Sequence, residues 1–403
     1  MTENGTPHGS TLDEGTRREG TRRDGSPRRG RRRRVVRASV GVVALALIGG
    51  GIYYATDDGR EDGRSLASAC DGLLETSELT DLLGADRLRG EGEDPAHCSV
   101  SDPGEGAASL RVEITRGDAP ARLLGTMRRA DPHLGGTLMS PLGNGRSAVL
   151  KTSRGTAVAS GYLTCGKGGS AGDGGTGNEN TAEGGAGNDR AGEGGAGSGA
   201  ADRLTVVMAA VRDGSGSPLD QPSQRARLAR VLAGTLDRTA EKWDCGGTSP
   251  AGDGRITEVP EDTTRTLTAE GSATGTCEGI ASAVFEAAAD GPAPVEDCVL
   301  TDDAGNRLFQ LSAYYGPYVK AARLETVRGK RYLTGTGGTD GVYWTTADCP
   351  DGGALFAVET VRDEEAGAFR AADPKLQRAA LKTFATNSAR RHGCPAPVSP
   401  AAE

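Results

Sequence analysis

Eight cysteines, none earlier than position 70, divide into two sets of four with related spacing. Cys70, Cys98, Cys165 and Cys245 stand 28, 67 and 80 residues apart, and Cys277, Cys298, Cys349 and Cys394 stand 21, 51 and 45 apart. Residues 166–199 form a tract of 34 residues, 15 of them Gly and the others mostly Ala, Asp, Glu, Asn, Ser and Thr. Such a tract buries too little apolar surface to offset the entropy of ordering it, so it reads as a flexible insertion. Without it the 80-residue interval falls to 46, close to the 45 of the second set. An even number of regularly spaced cysteines predicts a disulfide framework formed in an oxidising compartment.

Local sequence supports a duplication. VVMAAVRD at Val206–Asp213 matches FAVETVRD at Phe356–Asp363, and the two stand 32 and 31 residues before the last cysteine of their set. The first cysteines open the similar stretches ACDGLLETSELTDLLG and TCEGIASAVFEAAADG, and the second cysteines open CSVSD and CVLTD. The glycine-rich tract therefore interrupts the first module, and GGTSPAGDG after Cys245 supplies the turn residues of an inter-module linker.

Ahead of the cysteines lies an uncharged run of 18 residues, Ala38–Ala55, directly preceded by Arg31–Arg34 and a tail with 11 Arg and 5 acidic residues in its first 37 positions. That length is close to the minimum for a bilayer helix, and the basic flank orients the N-terminus inward. A cleaved signal peptide fits less well, since a cut after Ala55 places Tyr53 where a small residue is needed. A lipoprotein reading of Cys70 fails because the charged stretch Asp57–Arg64 separates it from the apolar run. Beyond residue 55 the count is 36 Lys and Arg against 50 Asp and Glu, a net of −14. Basic inside and acidic outside suits an anchored protein and argues against a nucleic-acid-binding ectodomain.

Periodicity predicts an α+β fold with antiparallel sheets and flanking helices, two duplicated disulfide-stapled modules following one transmembrane helix. In the first module a helix is expected over Leu66–Gly84, a strand at Leu110–Ile114, a helix at Pro120–Ala130 with Asp118 as its cap, a hairpin of Ala148–Lys151 and Ala157–Thr164, a strand at Leu204–Arg212 and a helix at Gln224–Trp243. The second repeats the order with helix Glu278–Ala289, strands Arg307–Tyr315, near Tyr332, Val342–Thr346 and Leu355–Arg362, and helix Pro374–Arg391. The boundaries are a disordered basic cytoplasmic tail at 1–37, the transmembrane helix at 38–55, a linker at 56–65, module one at 66–246, a linker at 247–262, module two at 263–395 and a disordered tail at 396–403. The simplest stapling joins Cys70 to Cys98, Cys165 to Cys245, Cys277 to Cys298 and Cys349 to Cys394, each bond tying a helix to a sheet.

Motifs for catalysis are lacking. His8, His97, His133 and His392 form no His-Glu-x-x-His pattern, and zinc at Cys98 with His97 or at Cys394 with His392 would take cysteines needed for disulfides. There is no Gly-x-Ser-x-Gly elbow or phosphate loop, and GTGGTDG at 335–341 reads as a hairpin turn. No cofactor or metal is implied. Asp302, and Asp102 at the matching place, fit Asx turns better than calcium ligands. The one aromatic concentration, Tyr314, Tyr315 and Tyr318 around Gly316–Pro317, is the candidate binding patch, with core packing as the competing reading.

The tail RRGRRRR, the single apolar run and the Ala/Gly/Asp-rich, Cys-containing remainder together resemble single-pass membrane proteins of Streptomyces-type actinobacteria. The resemblance implies location and organisation and carries no activity. The resulting expectation is a non-catalytic cell-surface binding or envelope-structural protein, anchored in the lipid bilayer through 38–55, with an envelope protein or cell-wall component as partner. An extracytoplasmic hydrolase with an unfamiliar active site is the alternative.

Overall fold

A computed structural model describes residues 59–398 except 93, 105–107, 118–137, 166–201, 213–216, 246–255, 257–258, 260–265, 290, 325, 328–329, 332–334, 340, 351 and 364–366. The basic tail, the Ala38–Ala55 run, the expected helix Pro120–Ala130, the glycine-rich tract, Tyr332 and most of 247–262 lie outside these residues. Among the described residues no helix is long and apolar enough to cross a membrane.

The first half opens with helix α1 (59–68), a tight turn Ala69–Gly72 and the short helix α2 (Leu79–Leu83). Strands β1 (Arg89–Glu91), β2 (Cys98–Ser101), β3 (Ser109–Arg116), β4 (Ser140–Pro141), β5 (Ala148–Thr152), β6 (Thr156–Cys165) and β7 (Asp202–Val211) follow, then helix α3 (Pro222–Lys242). The second half has β8 (Ala283–Glu286), β9 (Val295–Thr301), β10 (Arg307–Tyr315), helix α4 (Tyr318–Leu324), the small hairpin β11 (Thr326–Val327) and β12 (Lys330–Arg331), β13 (Gly337–Thr339), β14 (Val342–Cys349), β15 (Gly352–Thr360), the small hairpin β16 (Arg362–Asp363) and β17 (Ala368–Phe369), and helix α5 (Pro374–Arg391).

Two antiparallel sheets result, ordered β1-β2-β3-β7-β6-β5-β4 and β8-β9-β10-β15-β14-β13. Their registers coincide from the second cysteine outward. One cross-strand row runs Cys98, Val112, Met208, Ala159, Leu150, and its counterpart runs Cys298, Leu311, Val358, Tyr343, Gly338. Six residues beyond Ala159 and Tyr343 stand Cys165 and Cys349, the last residues of β6 and β14.

Each sheet carries one long helix. Pro at the first helical position starts both, since its missing N–H is an orphan there anyway; in α5 the Asp373 side chain also accepts from Leu376 N at 3.0 Å. Leu228, Val231, Leu232 and Leu236 of α3 bury against Leu110, Val112, Val206, Met208 and Ala159. Leu381, Phe384 and Ala385 of α5 bury against Leu311, Ala313, Phe356 and Val358. Gly161 sits where α3 crosses β6: a Cβ there would stand 2.9 Å from Leu236 Cδ1 and 2.8 Å from Ala148 Cβ. Both helices close alike, with Asp244 and Gly393 at φ 48° and 65° and the next cysteine N–H bonded five residues back, Cys245 to Ala240 O and Cys394 to Ala389 O, both at 2.9 Å. This is the left-handed C-terminal turn of a Schellman-type cap.

The sheets meet through the faces opposite their helices. Val149 and Tyr162 of the first join Val295, Tyr314, Trp344, Leu355 and Ala357 of the second in one cluster, with Tyr318, Ala321 and Ala322 of α4 completing it. The Ser160 and Tyr318 hydroxyls bond across it at 2.5 Å.

All four disulfides join the expected pairs: Cys70–Cys98, Cys165–Cys245, Cys277–Cys298 and Cys349–Cys394. The first cysteine of each half does not lie in the helix expected there. The expected helix Leu66–Gly84 is broken at Cys70, Asp71 and Gly72, whose φ values of 56°, 57° and 74° are left-handed. The leucines Leu73, Leu74, Leu79, Leu82 and Leu83 are buried nonetheless, so their spacing imitates one helix. The expected helix Glu278–Ala289 is a turn followed by strand β8. Pairing of Val284 and Phe285 with β9 overrides the helix propensity of the alanines. Cys277 therefore sits in a turn, and Cys298 lies inside β9. Within the segment expected as a linker, Ile256 and Val259 are buried in the first core, and Ile256 O accepts from Arg230 Nη1 at 2.8 Å.

Cys165 and Asp202 are direct cross-strand partners, so the glycine-rich tract joins two ends already side by side in a ladder. Replacing residues 166–201 by Asn-Gly is expected to keep all four disulfides and to raise stability by about 2 kcal/mol, the closure entropy of the longer loop. Urea unfolding of the shortened chain checks this; a loss of cooperative unfolding would make the tract part of the folded unit.

Candidate functional site

The three tyrosines singled out by sequence are interior. Tyr314 and Tyr318 are fully buried between the sheets and Tyr315 is 4% exposed on the helix side of the second sheet. The expected surface patch is thus corrected to core packing. Alternation along β10 sends neighbouring side chains to opposite faces, and both faces of this strand are covered.

Tyr315 nevertheless leads to the densest polar cluster of the second half. Its hydroxyl bonds Ser388 Oγ at 2.5 Å, its ring stacks on His392 with centroids 3.6 Å apart and planes at 12°, and Phe356 meets it edge-on at 5.9 Å. Beneath lies Glu296 on β9, 2% exposed. Arg391 grips its carboxylate through Nη2 at 2.6 Å and Nε at 3.3 Å, and His392 Nε2 approaches Oε1 at 3.1 Å. Burial pushes the Glu296 carboxyl up, but the hydrogen bonds from His392 and Arg391 and the guanidinium charge outweigh it and hold the group down at about 2. Burial and the Glu296 charge together push the Tyr315 phenol well above its ordinary value.

A cavity of about 180 Å³ opens beside this cluster, walled by Tyr162 of the first sheet and by Pro292, Tyr315, Gly316, Arg391 and His392 of the second. Among the described residues that line it none is acidic. Gly316 is required: its φ is 56°, and a Cβ would stand 3.2 Å from Tyr162 Cζ.

Comparison of the chain with family models, with curated proteins and with solved structures gives no match. What the site can do rests on its own geometry.

That geometry suits holding more than reacting. Ser388 is fully buried and its hydroxyl is engaged by Tyr315, while His392 is committed to Glu296 on one nitrogen and to Tyr315 on its face. Among the described residues no group of three or more His, Cys, Asp or Glu side chains could hold a metal ion. His8 and His133 lie outside the described residues. Cys98 and Cys394, next to His97 and close to His392, are in disulfides.

Asp302 and Asp102 form the expected turns. Asp302 Oδ1 accepts from Ala304 N at 3.0 Å and Asn306 N at 2.8 Å, and Asp102 Oδ1 accepts from Gly104 N at 2.9 Å. A shallower hollow of about 440 Å³ at Asp86, Arg87, Arg89 and Asp102 has balanced charge. Its two arginines are committed to Asp62 at 2.5 and 2.9 Å, which fastens α1 beside β1.

Sequence reading missed Glu296, Arg391 and the role of His392. The available signal was a difference between halves: two residues before the strand cysteine stand Ala96 and Glu296, and at the end of the last helix Lys242-Trp243 is replaced by Arg391-His392.

Proposed function

We propose that this chain is a membrane-anchored, extracytoplasmic binding or envelope-scaffold protein, N-terminus inside, whose folded part arose by duplication of one disulfide-stapled module. The observation that carries the reading is the complete pairing of the eight cysteines, all placed beyond an uncharged run with a basic inner flank. Complete pairing suits an oxidising exterior, where thiols are not kept reduced. The duplication is supported by strand order, by the coincident cross-strand rows and by the matching helix caps.

A non-catalytic role is favoured over an extracytoplasmic hydrolase because Ser388, one helical turn before the histidine of the cavity, is sealed and its hydroxyl is bonded to Tyr315. The expected partner is an envelope protein or cell-wall component, consistent with a durable crosslinked body held at a surface.

The test is protease treatment of intact spheroplasts expressing the full chain with an epitope at each end. Loss of the C-terminal epitope with protection of the N-terminal one is expected, and maleimide should label no cysteine until a reductant is added. Protection of both epitopes, or cysteines that label without reduction, would overturn the reading.

A further inference from the structure

The polar cluster at Glu296 is not a requirement of this fold, because the first sheet attains the same order and register without it. Counting along the matched rows and from the last cysteines, Ala96 stands for Glu296, Arg116 for Tyr315, Lys242 for Arg391 and Trp243 for His392. In the first half Arg116 Cζ lies 6.0 Å from the Trp243 ring centre and Lys242 pairs with the exposed Asp71. The second half instead buries a carboxylate, a guanidinium and an imidazole against a cavity. Such burial is costly unless every group is satisfied, and one is not: Arg391 Nη1 is buried without a hydrogen-bond partner.

We infer that this cavity binds a small carboxylate through Arg391, with His392 beside it. The inference deepens the binding role proposed above and rests on it. Several features favour an anion. Among the described lining residues none is acidic, and the buried Arg391 Nη1 offers a donor with no acceptor. An apolar portion is favoured by the walls Tyr162, Pro292 and Tyr315. The volume of about 180 Å³ equals that of about six waters, which suits an acid of about two to four carbons or the terminal carboxylate of a longer chain. Entry must uncover Nη1 by a side-chain shift in the wall. A donor that lacks an acceptor in the free protein then gains one, so binding replaces no existing bond of that atom.

The test is isothermal titration of the detergent-solubilised full chain with propionate, octanoate, the dipeptide Ala-Ala, phosphate and sulfate at matched ionic strength. Propionate is expected to saturate with a Kd on the order of 1 mM, with phosphate and sulfate at least about ten-fold weaker; octanoate weaker than propionate limits the site to short acids, octanoate as tight extends it to the end of a longer chain, and both support the site. Ala-Ala binding as tightly as propionate assigns the carboxylate to a peptide terminus, weaker binding assigns it to a free acid, and both support the site. The double variant Glu296→Gln/Arg391→Gln removes the cation without stranding its partner and should lose at least about ten-fold. Absence of saturation by propionate and Ala-Ala, phosphate binding tighter than propionate, or unchanged affinity in a folded double variant would overturn the inference. Should the double variant not fold, the ligand series on the unaltered chain decides alone. Failure here leaves the anchored location untouched, since that is read by protease protection.

Discussion

Cys165→Ser/Cys245→Ser is expected to cost about 4 to 5 kcal/mol of folding stability, the largest loss from any of the four bonds. This pair closes an 80-residue loop, and loop-closure entropy in the unfolded chain grows with the logarithm of loop length. Cys277–Cys298 closes only 21 residues, for which the same relation gives about 3 kcal/mol. Urea unfolding of the two double variants under identical conditions checks the ranking. The glycine-rich tract enters this comparison directly. With it removed, the loop shortens and the contribution of Cys165–Cys245 should fall by about 0.5 kcal/mol. A reversed order of the two variants would mean that the bonds act through folded-state geometry, with helix caps at Cys245 and Cys394 as the first place to look.

The elements legible in the sequence were those whose apolar period was long and whose ends were marked. Strand Arg307–Tyr315 and helix Pro374–Arg391 occupy the expected residues, the helix because Asp373-Pro374 marks its start and Gly393 its end. The disulfide pairing was legible because the two sets of four cysteines have related spacing and each bond had to link neighbouring elements. The first segments of each half were not. Leucines at 73, 74, 79, 82 and 83 fit a helical stripe, yet three consecutive left-handed residues at 70–72 turn the chain, and sequence period carries no information about such a turn at a non-glycine cysteine. The alanine-rich Ile280–Ala289 is short and apolar, where strand and helix cannot be separated by period.

The fate of the tyrosines turned on a tertiary fact. Whether Tyr314 and Tyr318 face solvent depends on whether the two sheets pack face to face, and no local pattern in β10 or α4 records that. Trp344, Leu355 and Tyr162 cover them instead. The Glu296 cluster was hidden for a different reason. A lone Glu in Pro-Val-Glu-Asp-Cys has the appearance of a surface residue, and its partners lie 95 and 96 positions away. Only the contrast with Ala96 and with Lys242-Trp243 marks those positions as set apart from the common fold.

Glu296→Gln is expected to destabilise the folded chain by about 3 to 5 kcal/mol at neutral pH, because it leaves the Arg391 guanidinium buried without its counter-charge. The pH dependence follows from the depressed carboxyl. Its ordinary value is 4.5 and its folded value about 2, so the stabilisation is fully present above about pH 4.5 and is lost as pH falls from there through about 2. The total is about 3 kcal/mol. Urea midpoints measured from pH 6 to pH 2 should therefore show the gap between the native chain and Glu296→Gln closing by that amount, while the Gln variant follows only the remaining carboxylates. Adding Arg391→Gln should recover most of the neutral-pH loss, since two neutral partners of similar volume leave no stranded charge. An exposed ion pair of the first half provides the control. Asp71 and Lys242 are 55% and 36% exposed, so Asp71→Asn should change stability by no more than about 1 kcal/mol. Equal losses at Asp71 and Glu296 would show that charge alone, and not its burial against the cavity, sets the strength of these pairs.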